Sequence, residues 1–178
     1  EGPVLVLGIG NRRVTADALG PRTAQKILVT MGTQHTLPVK GIRPVAAIAP
    51  GVSASTGLTL RQLAGAMVEA VRPAALICVD SLCSAEGAQL GRSVQFSDTG
   101  LYPAQVDHAK HLDAAALGVP VIAAGIPTLM DSDEGADLVV TPRALDSVIA
   151  HGSALLAGAI NRALQPRLSV AQLFWLAG

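Results

Sequence analysis

The sequence predicts an α/β fold, a three-layer sandwich in which a mainly parallel open sheet carries helices on both faces. Three observations predict it. Short apolar runs alternate with segments of helical periodicity, the order that builds parallel sheets. The runs end in Gly, Pro or Asp, as strands buried on both faces do where they enter loops. Half of the 178 residues are hydrophobic but only 2% are aromatic, so Val, Ile, Leu and Ala must fill the core. A chain of this length makes one domain, residues 1–178.

Pro3 to Ile9 is the first strand, running into Gly10-Asn11. Thr15 is placed to cap the next helix, with Asp17 in its first turn and Pro21 loosening its start. Val45 to Ala49 is a second strand, closed by Pro50-Gly51. Leu60 to Val71 carries Leu63, Ala64, Met67, Val68 and Val71 at helical spacing before Pro73 stops it. Ala74 to Val79 is a strand ending on Asp80, Ser93 to Phe96 one ending on Asp98, and Val119 to Ala124 a fifth. Thr141-Pro142 opens a final helix with Leu145, Val148, Ile149, Leu155, Leu156 and Ile160 on one face.

Thirteen basic and thirteen acidic residues balance to zero net charge, and no basic run is present. Neither nucleic acid nor an anionic membrane is therefore expected as a partner. Apolar stretches are too short to span a bilayer. Cys78 and Cys83, close together in an apolar run, point to a reducing compartment rather than a disulfide framework. No secretory signal is visible, and Glu1 in place of Met implies a processed or trimmed start.

Several motifs fail on their own terms. Gly8-Ile9-Gly10 lacks the third glycine of a dinucleotide fingerprint, since position 13 is Arg13. Gly51-Val52-Ser53-Ala54 is followed by Ser55 rather than the glycine of a nucleophile elbow. Asp98-Thr99-Gly100 is a lone triplet in an α/β pattern, where pepsin-like proteases need two in an all-β fold; a turn residue is the plainer reading. His108 and His111 have an i, i+3 spacing without the glutamate of a zinc helix, and read as surface histidines. Asp80 is different. It interrupts Ala75-Leu76-Ile77-Cys78-Val79 at the carboxyl end, where open α/β sheets bind ligands. Asp17 lies just past the first strand, so both carboxylates can project from one edge.

Longer segments then become specific. Val4-Leu5-Val6-Leu7-Gly8-Ile9-Gly10-Asn11, Val14-Thr15-Ala16-Asp17-Ala18-Leu19-Gly20-Pro21, Gly41 to Val52, Ser97-Asp98-Thr99-Gly100, Pro120 to Thr128 and Val140-Thr141-Pro142 resemble, in order, segments of the spore germination protease family. The resemblance implies an endopeptidase of the spore core in the cytoplasm. It would degrade small acid-soluble spore proteins at germination, without a cofactor, as a homotetramer matured from a zymogen. It implies a fold similar to the hydrogenase maturation proteases and a catalytic aspartate pair at Asp17 and Asp80. The chain departs from the family at Ser81-Leu82-Cys83-Ser84-Ala85-Glu86, where an alanine-rich stretch and arginine are usual. It also lacks a glycine-rich loop after Leu101-Tyr102-Pro103 and a long insertion between Met130-Asp131 and Val139.

Two neighbouring carboxylates cannot both ionise freely, so one holds a proton while the other acts as base. With Thr15 as cap, Asp17 sits at the positive end of a helix and is expected to be the base; Asp80, buried at a strand end, is expected to be the acid. Asn11, Thr56 and Asp98 are candidate substrate-binding neighbours. The alternatives are a metallopeptidase binding nickel through these acids and a histidine, and a peptide-binding relative without turnover.

Overall fold

The computed structural model describes residues 2–33, 36, 39–102, 111–131 and 139–177. In chain order the strands are β1 (Val4–Gly8), β2 (Val45–Ile48), β3 (Ala75–Ser84), β4 (Gln95–Ser97), β5 (Val121–Asp131) and β6 (Val139–Val140). The helices are α1 (Leu19–Ala24), α2 (Ser53–Thr56), α3 (Leu60–Val71), α4 (Ala114–Leu117), α5 (Leu145–Leu164) and α6 (Val170–Ala177), with single 3-10 turns at Thr15–Asp17 and Gly87–Gln89. The sheet runs β2-β1-β3-β5-β4, and β6 pairs β5. β2, β1, β3 and β5 are parallel, while β4 and β6 run antiparallel to β5.

All of β1 is buried because it has a strand on each edge and helices on each face. Its alternation sorts the core into two halves. Val4 and Val6 pack with Ile77, Val79, Ala124 and Ile126 against Leu19 of α1 and Ile149, Leu156 and Ile160 of α5. Leu5 and Leu7 pack with Leu76, Cys78, Val121 and Ala123 against α3, through Ala64, Leu60 and Met67, and against Leu112. This is the expected three-layer arrangement. A smaller cluster of Leu28, Ile42, Leu168 and Leu173 seats α6, a helix that the sequence reading did not anticipate.

α3 matches its expected bounds because its ends are chemically marked. The Thr59 hydroxyl accepts the Gln62 N–H and the Gln62 side chain accepts the Thr59 N–H, a capping box, and Arg72 closes the helix in the left-handed conformation. Elsewhere boundaries moved. β3 does not stop at Asp80 but continues to Ser84, because β5 runs beside it from Leu76↔Val121 to Ser84↔Met130. Thr15 is not a helix cap: Val14 occupies the cap position, no side-chain bond forms, and the chain makes one 3-10 turn before α1 starts at Leu19. Pro142 likewise opens a turn, with its carbonyl accepting the Leu145 N–H, and α5 begins three residues later than the Thr141 cap would place it.

α1 lies against the sheet at backbone distance. A Cβ on Gly20 would collide with the carbonyl oxygens of Ile9 and Val79, and one on Gly8 with the Gly20 carbonyl. Gly20→Ala is therefore expected to lower unfolding free energy by about 1–3 kcal/mol in urea denaturation. Gly65→Ala in α3, where nothing lies within 4 Å of the added atom, should instead raise it by roughly 0.5–1 kcal/mol.

Candidate active site

The carboxyl end of β1 lies beside the middle of β3 with Gly8 opposite Val79, and the Ile9 N–H extends the ladder to the Val79 carbonyl at 2.8 Å. Beyond that point the chain doubles back. Gly10 has φ +123°, a conformation that L side chains rarely adopt, and a Cβ there would strike the Asp17 carbonyl. The Asn11 N–H donates to Asp17 Oδ2 at 2.6 Å, while the Asn11 side chain accepts the Arg13 N–H at 3.0 Å. Asn11 thus contributes its backbone to the carboxylate and spends its side chain on its own turn. The Asp17 N–H bonds the Val14 carbonyl within the 3-10 turn, and the buried Thr128 hydroxyl donates to the Ala16 carbonyl at 2.7 Å. Asp17 is the last residue of this short turn, one residue before Ala18, the cap position of α1, rather than in the first turn of a helix capped by Thr15.

Asp80 sits in β3 opposite Gly125 of β5. Its Oδ1 accepts the Ser81 N–H at 2.8 Å. A side chain on Gly125 would press on the Asp80 carbonyl and the Leu82 side chain, so glycine leaves β3 room at this level. The carboxyl is surrounded by protein even though the residue retains some exposure. Burial first, and the Asp17 charge second, push Asp80 up to about 7, against the lowering effect of the Ser81 N–H. Burial also raises Asp17, with the Asn11 N–H opposing it. Cys78, two residues back on the same face, is pushed up to about 12 by burial and then by Asp80, so it stays a neutral thiol. The two acids are thus electrostatically linked groups on one sheet edge, with Asp80 holding its proton into the neutral range.

The other candidates are spread more widely. Thr56 follows the carboxyl end of β2 through the Pro50-Gly51 loop, but it is exposed and its hydroxyl bonds Val52 and Leu58 within that loop. Asp98 is exposed in the bend after β4. Because β4 is antiparallel, with Ser97 opposite Ala123, Asp98 leaves toward the amino ends of β3 and β5, away from Asp17 and Asp80. His111 packs edge-on against Tyr102, ring centroids 4.9 Å apart, and His108 lies outside the described residues. Among the described residues no group of three or more His, Cys, Asp or Glu is gathered to hold a metal ion. Ser81 and Thr128 are further polar residues of these strands that the sequence did not single out. For Thr128 the available signal was a polar residue inside an apolar strand, which burial requires to be hydrogen-bonded, whereas the buried Ser81 hydroxyl has no hydrogen-bond partner among the described residues.

Residues 1–134 match the family described as germination protease. The chain belongs to the germination protease family. That makes it a peptidase by descent. It is 31% identical over 219 aligned positions to a germination protease of Clostridium perfringens strain SM101, covering 94% of this chain and 67% of that protein. It is 40% identical over 152 positions to that of Halalkalibacterium halodurans, covering 83% of this chain and 40% of that protein. The first alignment is longer than the 178-residue chain, so that relative carries segments absent here. Among solved structures, a [NiFe] hydrogenase maturation protease, HycI from Thermococcus kodakarensis, superposes with TM-score 0.55 at 18% identity over 92% of each chain. At that identity the likeness shows the fold, as the resemblance implied. No described helix of this germination protease relative is long and apolar enough to cross a membrane.

The raised Asp80 has a sign that can be tested. Between 3.8 and about 7 the unfolded chain ionises Asp80 while the folded chain keeps the proton, so stability falls as pH rises through that window and stays reduced above it. Asp80→Asn is expected to be more stable than the parent above pH 7, by roughly 2–4 kcal/mol in urea unfolding. The difference should vanish below the ordinary carboxylate value of 3.8.

Proposed function

We propose that this chain is an endopeptidase that hydrolyses small acid-soluble spore proteins at germination, with Asp17 and Asp80 sharing one proton. The observation that carries the reading is the pair itself: one acid in the turn after β1 and one in the neighbouring strand β3, the second raised to about 7 partly by the first. Membership of the germination protease family supports the substrate class, and with it a single domain over residues 1–178, a homotetramer, maturation from a zymogen and a place in the spore core.

Asp17, which accepts the Asn11 N–H, is the ionised member and takes a proton from the attacking water. Asp80 has Oδ1 engaged by the Ser81 N–H, which leaves Oδ2 to carry the shared proton toward the scissile carbonyl oxygen. Water oxygen bonds the carbonyl carbon as the carbonyl oxygen takes the Asp80 proton; on collapse that proton returns to Asp80, the C–N bond breaks, and the amine leaves with the proton that Asp17 received. The assignment of base and acid is the one the sequence argued, with Thr15 capping no helix and the stronger burial of Asp80 separating the two. Asn11 and Thr56 belong to loops leaving this edge and are the proposed substrate neighbours, whereas Asp98 would have to act from the opposite edge.

The segments that relatives carry and this chain lacks favour a second reading, a peptide-binding relative without turnover. Cleavage of a purified small acid-soluble spore protein separates the two. Activity that survives EDTA and falls at least about 1,000-fold in both Asp17→Asn and Asp80→Asn is expected. Full activity in either variant refutes the pair, and peptide binding without cleavage selects the second reading. The kcat/KM profile should fall on its alkaline side near pH 7 as the shared proton is lost, the midpoint belonging to the pair.

A further inference from the structure

We infer that Thr128 is the positioning residue of the aspartate pair, a clamp that sets the height of Asp17 above Asp80; this rests on the reading of the pair given above. β3 and β5 pair in register from Leu76↔Val121 to Leu82↔Pro127, and the next partners are Cys83↔Leu129. Thr128 is therefore the extra residue of a β-bulge, the one position on this stretch of β5 without a partner on β3. Bulges re-aim a side chain, and this one lies three residues beyond Gly125, the partner of Asp80. Its hydroxyl, fully buried, donates to the carbonyl of Ala16, the residue that precedes Asp17.

The geometry makes one hydrogen bond span the site. The Asp17 turn is a single 3-10 turn with no side-chain cap, too short to hold its own position. On its strand-facing side it is tied to β1 through Gly10 and the Asn11 N–H. Another tie is Thr128, on the strand that pairs with Asp80's own, beside the run of the chain into α1 at Ala18. Thr128 thus links the element carrying one carboxylate to the sheet carrying the other. Loss of the hydroxyl would also leave the Ala16 carbonyl buried against an apolar group, which favours lifting of the turn. Lifting separates the two carboxyls and admits water between them. Burial is the larger cause of the raised Asp80 and the Asp17 charge the second, and Cys78 stays neutral, so a lifted turn lowers the Asp80 titration through both the water it admits and the distance it adds.

The test uses Thr128→Val, which keeps the shape and loses the donor, and Thr128→Ser, which keeps the donor. Thr128→Ala removes the hydroxyl without placing a methyl against the carbonyl, and substitutes if the valine chain does not fold. Carboxyl carbon NMR titration of Asp80 is followed beside kcat and KM on a spore-protein substrate. In the valine and alanine variants the Asp80 midpoint is expected to drop from about 7 toward the ordinary range, with kcat down by up to roughly 100-fold and KM little changed. Serine should restore both. A folded valine or alanine variant with the parental Asp80 titration overturns the inference. Failure of the pair itself is a separate result: full activity in Asp17→Asn or Asp80→Asn refutes the pair, while the titration still decides whether Thr128 places Asp17.

Discussion

The contact on which the site depends is backbone against backbone. α1 and the turn before it rest on the end of β1 and the middle of β3 with glycine on both sides, so that Gly8, Gly10 and Gly20 bring the Asp17 turn within hydrogen-bonding distance of the sheet. A side chain at any of the three would hold the two layers apart. With them apart, the Asn11 N–H could not reach Asp17 and the Thr128 hydroxyl could not reach Ala16. The same closeness removes water from around Asp80, which is the largest cause of its raised pKa.

The arrangement stores an unfavourable interaction at the place where chemistry is proposed. Two carboxylates near each other destabilise the folded chain as pH rises, and the surrounding core must offset the cost. It does so with an apolar sheet centre: β1 and the first half of β3 carry no polar side chain, and each faces helices on both sides. Polar side chains enter β3 and β5 beyond this region, at Asp80, Ser81 and Ser84 of β3 and at Thr128 and Asp131 of β5. The transition from apolar strand to polar strand end marks the boundary between scaffold and site.

Much of the fold was legible because it is local. Central strands are continuous apolar runs, and α3 carries its own capping box and stop residues, so both can be read without knowing their neighbours. The places where reading went astray depend on a partner. How far β3 runs past Asp80 is decided by β5, the end of the sheet toward which Asp98 leaves by the antiparallel pairing of β4, and the identity of the Thr15–Asp17 segment by its packing onto the sheet. A Thr-x-Asp pattern is a good helix start in isolation, but here Thr15–Asp17 forms a 3-10 turn and the α-helix starts only at Leu19, with Gly20 and Pro21 in its first turn.

By itself the sequence determined the α/β class, the sheet edge that carries the acids, and Asp17 and Asp80 as its two candidates. These follow from hydrophobic period and from charges placed at the ends of apolar runs, which are properties of the chain alone. The tertiary structure decided that Asp80 lies inside a strand, that Asp98 leaves toward the other end of the sheet, and that a bulge aims Thr128 at the Asp17 turn. Strand direction, register and burial of a carboxyl arise from contacts between segments far apart in sequence, and those contacts exist only in the folded chain.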